Sequence, residues 1–418
     1  MALLVQKYGG SSIPNLDRIK AVAQRIAAAH HAGHDVVVVM SAMGGTTDQL
    51  LTDAQNITAA PPPRELDALL ATGEQVSNAL TAMALNALGA EACSFTGWQA
   101  GILTSHTHGS ADIIDVHPYR VRNALDRGVV PLVAGFQGLI YGGADVTTLG
   151  RGGSDTTAVA LAAALKADAC EIYTDVSGVY TADPKVVPEA RPLACLTHQH
   201  MHEMAAGGAK VLALSSVEYA QKHGVTLHVR SSYNHCPGTI VSDELFDVTY
   251  AQQSPTVIAI THNPHNAKIT LPGRPEPAPA TLRLHATTST AAGRSTPRSY
   301  LPHTGHGDVP YDEYTATASL IGSGLCAHPE TLATLRRTLT RVGIPFTPMT
   351  MTDTRITLMC PPSHLADTVR ALHKAFLTHT PQPPVPRHNG QLALQPRPEG
   401  PSPSSGSVKR AALSRIRW

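Results

Sequence analysis

The stretch Thr147-Thr148-Leu149-Gly150-Arg151-Gly152-Gly153-Ser154-Asp155-Thr156-Thr157 gathers glycines, a guanidinium, a carboxylate and hydroxyls in one short loop. Glycine lets the backbone come close to an anion. The apolar run after the loop reads as a helix beginning near Thr156, whose first N–H groups have no partner inside the helix. Such a loop suits phosphate and carboxylate chemistry. Two further loops repeat the theme: Leu3-Leu4-Val5 leads into Lys7-Tyr8-Gly9-Gly10-Ser11-Ser12, and Val36 to Met40 leads into Ser41-Ala42-Met43-Gly44-Gly45-Thr46-Thr47. None of the three fits the GxxxxGK[ST] phosphate loop, and no GxGxxG opens a dinucleotide fold.

Three loops act on one ligand only if the fold brings them together. In an open parallel sheet the loops at the carboxyl ends of the strands converge on one crevice. The elements for such a sheet are legible. Leu16, Ile19, Val22 and Ile26 recur at helical spacing, and Val36 to Met40, Val129 to Ala134 and Cys170 to Thr174 read as buried strands. Alternating strand and helix over residues 1–245 predicts an α/β domain, a doubly wound, mainly parallel sheet with helices on both faces.

Beyond Val241 the pattern changes. Val257 to Thr261 and Ala267 to Leu271 read as strands, whereas Pro272 to Tyr311 is rich in Pro, Gly, Thr, Ser and His and reads as loop. Order returns with a strand at Thr315 to Leu320, a helix through Leu332, Leu335 and Leu339, a strand at Ile356 to Cys360 and a helix through Leu365, Val369, Leu372 and Phe376. That is a small α+β module at 315–378, within a C-terminal region spanning 250–378. Residues 379–418 are rich in Pro, Ser and Gly, end in VKRAALSRIRW, and read as a flexible basic tail.

Composition narrows the function. A formal charge of +1 and 4% aromatic residues supply neither the field nor the stacking platforms for nucleic acid. No apolar run approaches the roughly 20 residues that cross a bilayer, and no export signal precedes Leu3, so the expected location is the cytoplasm. The 6 cysteines form no CxxC pair and read as free thiols. In His198-Gln199-His200-Met201-His202 only His198 and His202 share a helical face, and Glu203 is the one nearby acidic ligand, so no metal site is assigned there.

KYGGSS, SAMGGTTDQLL, LLATGEQVS, SFTGWQAGI, VAGFQG, TTLGRGGSDTTAVALAAALKADACEIYTDVSGVYTADP and GAKVL, in that order from Leu3 to Val241, resemble the signature blocks of aspartate kinases, members of the amino acid kinase family. LIGSGLCAHPETLATLRRTLTRVGI and RITLMCPPSHLADTVRALHKAF resemble the second ACT regulatory module of those enzymes. Of the first ACT module, VIAITHNPHNAKITLPGRPEPAPA resembles the opening strands and turn, and a loop-like segment stands in place of its helix and later strands.

The resemblance implies a kinase that uses ATP and Mg²⁺ to phosphorylate the side-chain carboxylate of L-aspartate, and that is a homodimer or higher oligomer through the ACT region. It implies that Lys7 stabilises the transferring phosphate and that Asp155 organises the site around Lys7. Ser41, Thr46, Thr47, Glu74, Arg151, Gly152, Gly153 and Ser154 fall in the substrate loops. Lys7, Gly9, Gly10, Ser11, Thr174, Asp175, Tyr180, Asp183, Pro184, Lys185 and Lys210 fall on the nucleotide side. Mg²⁺ would be held by phosphate oxygens and water, without a dedicated protein cage. Departures are Tyr8 in KYGGSS, Asp112 where a basic residue is common, and Ala213-Leu214-Ser215 after GAKVL. The reduced first ACT module implies weakened inhibition by lysine or threonine. The alternatives are a kinase for another amino acid carboxylate and a non-catalytic regulatory subunit.

Overall fold

Val36-Val37-Val38-Val39, an unbroken β-branched run, forms an interior strand, and its alternation builds two cores. Val36, Val38 and Met40 pack on one face of the sheet with Tyr8, Ile19, Val22, Ile26 and Leu85. Val37 and Val39 pack on the other with Val5, Ile172, Leu161 and Val217. The structure, a computed structural model, describes residues 1–244, 256–269 and 311–378. The loop expected from Pro272 and the tail expected from residue 379 lie outside the described residues, apart from Tyr311, which begins a strand.

The main sheet is built from β1 (Leu3–Tyr8), β2 (Asp35–Met40), β3 (Ala92–Phe95), β6 (Val130–Ala134), β9 (Ala169–Thr174), β10 (Cys195–Leu196), β11 (Leu227–Ser231) and β12 (Thr239–Val241), in the order β10-β12-β11-β9-β1-β2-β6-β3. Every neighbouring pair is parallel except β11 with β12. A small sheet, β5 (Ile113–Val116), β4 (Ile102–Thr104), β7 (Gln137–Ile140) and β8 (Val146–Thr148), carries the loop that ends in Arg151. The helices are α1 (Leu16–His31), α2 (Thr46–Ile57), α3 (Pro63–Leu70), α4 (Thr72–Ala87), α5 (Tyr119–Leu125), α6 (Gly153–Leu165), α7 (His198–Ala206) and α8 (Leu214–His223). The helix expected from Thr156 begins three residues earlier, because Gly152 at φ 77° supplies a left-handed N-cap. Asp155 therefore lies in its first turn.

Polar residues penetrate the sheet on the α1 face. Glu171 accepts from Gln6 Nε2 (2.8 Å), Tyr173 Oη (3.1 Å) and Arg230 Nη1 (2.9 Å). Tyr8 stacks on Tyr173 with ring centroids 4.7 Å apart and donates to Gln6 Oε1. The phenol of Tyr8 thus has a partner, and burial with the Tyr173 and Glu171 charges holds its pKa well above the usual value.

The C-terminal region is a four-stranded antiparallel sheet, β13 (Thr256–Ile269), β14 (Tyr311–Ser323), β16 (Arg355–Cys360) and β15 (Thr347–Met351), in that order. The two strands expected at 257–261 and 267–271 are one continuous strand with irregular register. α9 (Pro329–Arg341) and α10 (Leu365–Leu377) supply Leu335, Leu339, Val369 and Leu372 to its core. β15 has no counterpart among the expected strands. Thr347-Pro348-Met349-Thr350-Met351 lacks an apolar alternation, and its proline is tolerated because the strand lies at the sheet edge.

Candidate active site

Strand alternation aims Lys7 at the face opposite Tyr8, toward α6. There its Nζ meets Asp155 Oδ1 at 2.5 Å, both side chains nearly buried. The loop after β1 turns at Gly9, whose N–H donates to Tyr173 O, and passes so near the second loop that a Cβ on Gly10 would lie 2.9 Å from Ala42 O. Ser11 is exposed, and its carbonyl accepts from Tyr233 Oη at 2.5 Å. Ser41 is half-buried, and its carbonyl accepts from Ser77 Oγ. Thr46 and Thr47 open α2.

Glu74 is in the first turn of α4 and is only 4% exposed. Its Oε1 accepts from Ala42 N at 3.1 Å, while its Oε2 is buried without a hydrogen-bond partner. Burial pushes its pKa up to about 7 against the opposing pull of backbone N–H groups and the Lys7 ammonium. The Lys7 ammonium lies near enough to Glu74 to act on it electrostatically. A carboxylate with one oxygen anchored and one unpartnered is ready to accept from a ligand's ammonium. On the third loop Arg151 and Gly152 are exposed, Gly153 and Ser154 are buried in the first turn of α6, and Gly152 abuts Ala213, where an added Cβ would collide. Ser215 Oγ and Thr156 Oγ1 are 2.9 Å apart, so the departure at Ala213-Leu214-Ser215 packs directly on the third loop. Asp112 is exposed, its N–H donating to Ser105 Oγ.

Asp67 of α3 braces the strand that leads into the third loop, and no sequence motif marks it. It is 1% exposed and accepts from His108 Nδ1 (2.7 Å), Gly109 N (3.1 Å) and Thr148 Oγ1 (2.5 Å). This carboxylate ties α3, the loop before β5 and the end of β8 together, and Thr148 stands three residues before Arg151. In PRELDALL it looks like any solvated helix charge, and only its position among the leucines hints otherwise.

On the other side, Thr174 ends β9 with its hydroxyl donating to Asp175 Oδ1 (3.0 Å), and its carbonyl accepts from Ser232 N. Tyr180 bridges Pro192. Asp183 Oδ1 accepts from Lys185 N across Pro184, forming a turn, and Asp183, Pro184, Lys185 and Lys210 are exposed. This segment is tied to the C-terminal module rather than to Lys7 and Glu74. The three histidines of α7 diverge: His198 pairs with Asp243, His200 with Ser323 and His202 with Glu218. Among the described residues no three His, Cys, Asp or Glu side chains group as for a metal ion, and no helix is long and apolar enough to cross a membrane. All six cysteines are free thiols.

Residues 2–231 match the model of the amino acid kinase family. An aspartokinase from Mycolicibacterium smegmatis is 47% identical, covering 90% of this chain and 96% of its own. One from Thermus thermophilus is 40% identical, covering 90% and 99%. Among solved structures, Escherichia coli aspartokinase III in complex with aspartate and ADP superimposes with a TM-score of 0.73 at 23% identity, covering 89% of this chain and 99% of its own, which shows the shared fold. The chain belongs to the amino acid kinase family and, within it, to the aspartokinases.

Proposed function

We propose that this chain transfers the γ-phosphoryl group of ATP to the side-chain carboxylate of L-aspartate. The observation that carries this is the joint placement of Lys7, locked to Asp155, and Glu74, whose Oε2 is buried without a partner. A zwitterion bearing a second carboxylate meets each need: its ammonium donates to Glu74, and a carboxylate pairs with the fork of Arg151. A side-chain carboxylate oxygen then attacks the γ-phosphorus as the bond to the β–γ bridging oxygen breaks, ADP leaves, and no proton transfer is required. Lys7 neutralises charge developing on the transferring group, with Gly9 and Gly10 lining the phosphate path.

Asp155 holds the Lys7 ammonium where that charge forms. Mg²⁺ would bind phosphate oxygens and water and supply further neutralisation. Thr174, Asp175, Tyr180, Lys185 and Lys210 form the nucleotide side in this reading, and the C-terminal module supplies the contact between subunits. An ATP-dependent hydroxamate assay over aspartate, glutamate and close analogues tests it. Aspartate is expected to give the highest kcat/KM, and a preference for glutamate would reassign the substrate.

A further inference from the structure

The segment bearing Tyr180, Asp183, Pro184 and Lys185 runs from β9 to β10, yet its apolar residues leave the kinase core. Ala182 and Val187 are buried in the cluster of β13, β14, β16, α9 and α10, with Val186 and Ala190 packed against it. Thr181 is the pivot, 2% exposed. Its carbonyl accepts from Ile260 N of β13 (2.8 Å), and its N–H donates to Arg191 O (2.9 Å). Its hydroxyl accepts from Arg191 N (3.0 Å) and pairs with Nε2 of His373, itself 4% exposed, on α10 (3.0 Å). Two guanidiniums close the contact, Arg191 Nη2 donating to Leu377 O (2.7 Å) and Arg370 Nε to Val186 O (3.0 Å).

The second nucleotide-side segment meets the same module. Gly208, at φ 108°, lies so close to the carbonyl of His262 on β13 that a Cβ would collide with it. Burial lowers the pKa of His262, and Asp183 and Lys210 both lie near enough to act on it electrostatically, in opposite senses. One strand of the C-terminal module therefore touches both segments.

Leucine or valine would fill the space of His373 and Thr181 without desolvating polar groups. What the polar pair adds is direction, fixing the backbone at one register immediately beside Tyr180. We propose that His373 is a positioning residue for the nucleotide, acting through Thr181 to set where Tyr180 to Lys185 stand. The C-terminal module is then a wall of the nucleotide side as well as a regulatory appendage. This rests on reading Tyr180 to Lys185 as nucleotide contacts.

Steady-state kinetics on the full chain test it, with melting temperature measured alongside. His373→Ala and Thr181→Val each raise the KM for ATP by about three- to tenfold, the effect of one buried hydrogen bond, and leave the KM for aspartate within about twofold. His373→Gln and Thr181→Ser, which keep a polar atom within reach, restore the ATP KM. Should His373→Ala fail to fold, Thr181→Val and the two conservative variants carry the test. Lys185→Ala is measured in parallel. If it raises the ATP KM while Thr181→Val does not, the positioning role is overturned and the nucleotide reading stands; if neither variant changes it, both are overturned. Equal increases in both KM values with a lowered melting temperature would mean general loosening and would also overturn the proposal.

Discussion

In the reading proposed above, the aspartate side is braced from within the kinase domain, and the nucleotide side is braced from the C-terminal module. Asp67, buried in α3, fastens the loop that presents Arg151, and Ala42 N fixes the orientation of Glu74. Thr181, next to Tyr180, is held by Ile260 and His373, which lie beyond the family match at residues 2–231. A disturbance of the module should therefore reach ATP before it reaches aspartate. A disturbance of α3 should do the reverse.

The largest test falls on the group both sides share. Lys7→Ala should lower kcat by about a hundredfold or more while circular dichroism stays near native, and it should lower the melting temperature as well, because Asp155 is left nearly buried without its counter-charge. Near-native turnover would remove the phosphoryl-transfer mechanism altogether. Asp67→Ala comes next. Stripping a fully buried acceptor from His108, Gly109 and Thr148 should cost about 2 kcal/mol or more of stability, read from denaturant unfolding, and should raise the aspartate KM in preference to that of ATP. Equal effects on both substrates would erase the division between the two sides.

Smaller effects sharpen the aspartate side. Arg151→Lys should raise the aspartate KM by about tenfold with little change for ATP, because a point charge cannot reproduce a bidentate pair. Glu74 titrates at about 7, so its ionised form, the one that accepts from an ammonium, gains population as pH rises through that value. The aspartate KM of the native enzyme should therefore fall from about pH 6 to about pH 8, and Glu74→Gln should flatten that slope. The raised pKa also means that stability from this group is fully present below its ordinary 4.5 and lost as pH rises through about 7. Glu74→Gln should accordingly gain melting temperature relative to the native chain as pH rises. The smallest expected response is to effectors: lysine and threonine at millimolar concentration, singly or together, should leave the rate nearly unchanged, the expectation that the Pro-, Gly- and Thr-rich sequence after Pro272 sets. Strong inhibition by either would show a working effector site.

Much of the architecture and the motifs of the candidate site are legible because glycine loops after β-branched runs leave a signal in one dimension. Lys7, Glu74 and Asp155 are each marked by a local motif, and in the structure Lys7 pairs with Asp155 and lies near enough to Glu74 to act on it electrostatically. Asp67 and His373 carry no such mark, since their meaning comes from partners 41 and 192 residues away. His373 leaves a trace in retrospect: it follows Val369 by one helical turn and so falls on the buried stripe of α10, where a polar residue calls for a partner. The helix start at Gly153 is hidden because Gly152 reads as loop rather than as a left-handed cap. β15 is hidden because its edge position relaxes the alternation that betrays a strand.

The buried contact between Glu171 and Arg230 has a consequence for synthesis. Arg230 leaves the ribosome 59 residues after Glu171, and until it arrives the centre of the sheet would enclose a carboxylate lacking its counter-charge. The emerging chain therefore cannot close β1 against β9 in final form before β11 has been made. A nascent chain stalled where β9 has cleared the exit tunnel and β11 has not should remain open to protease across β9, and one stalled far enough past residue 231 for β11 to clear the tunnel should not.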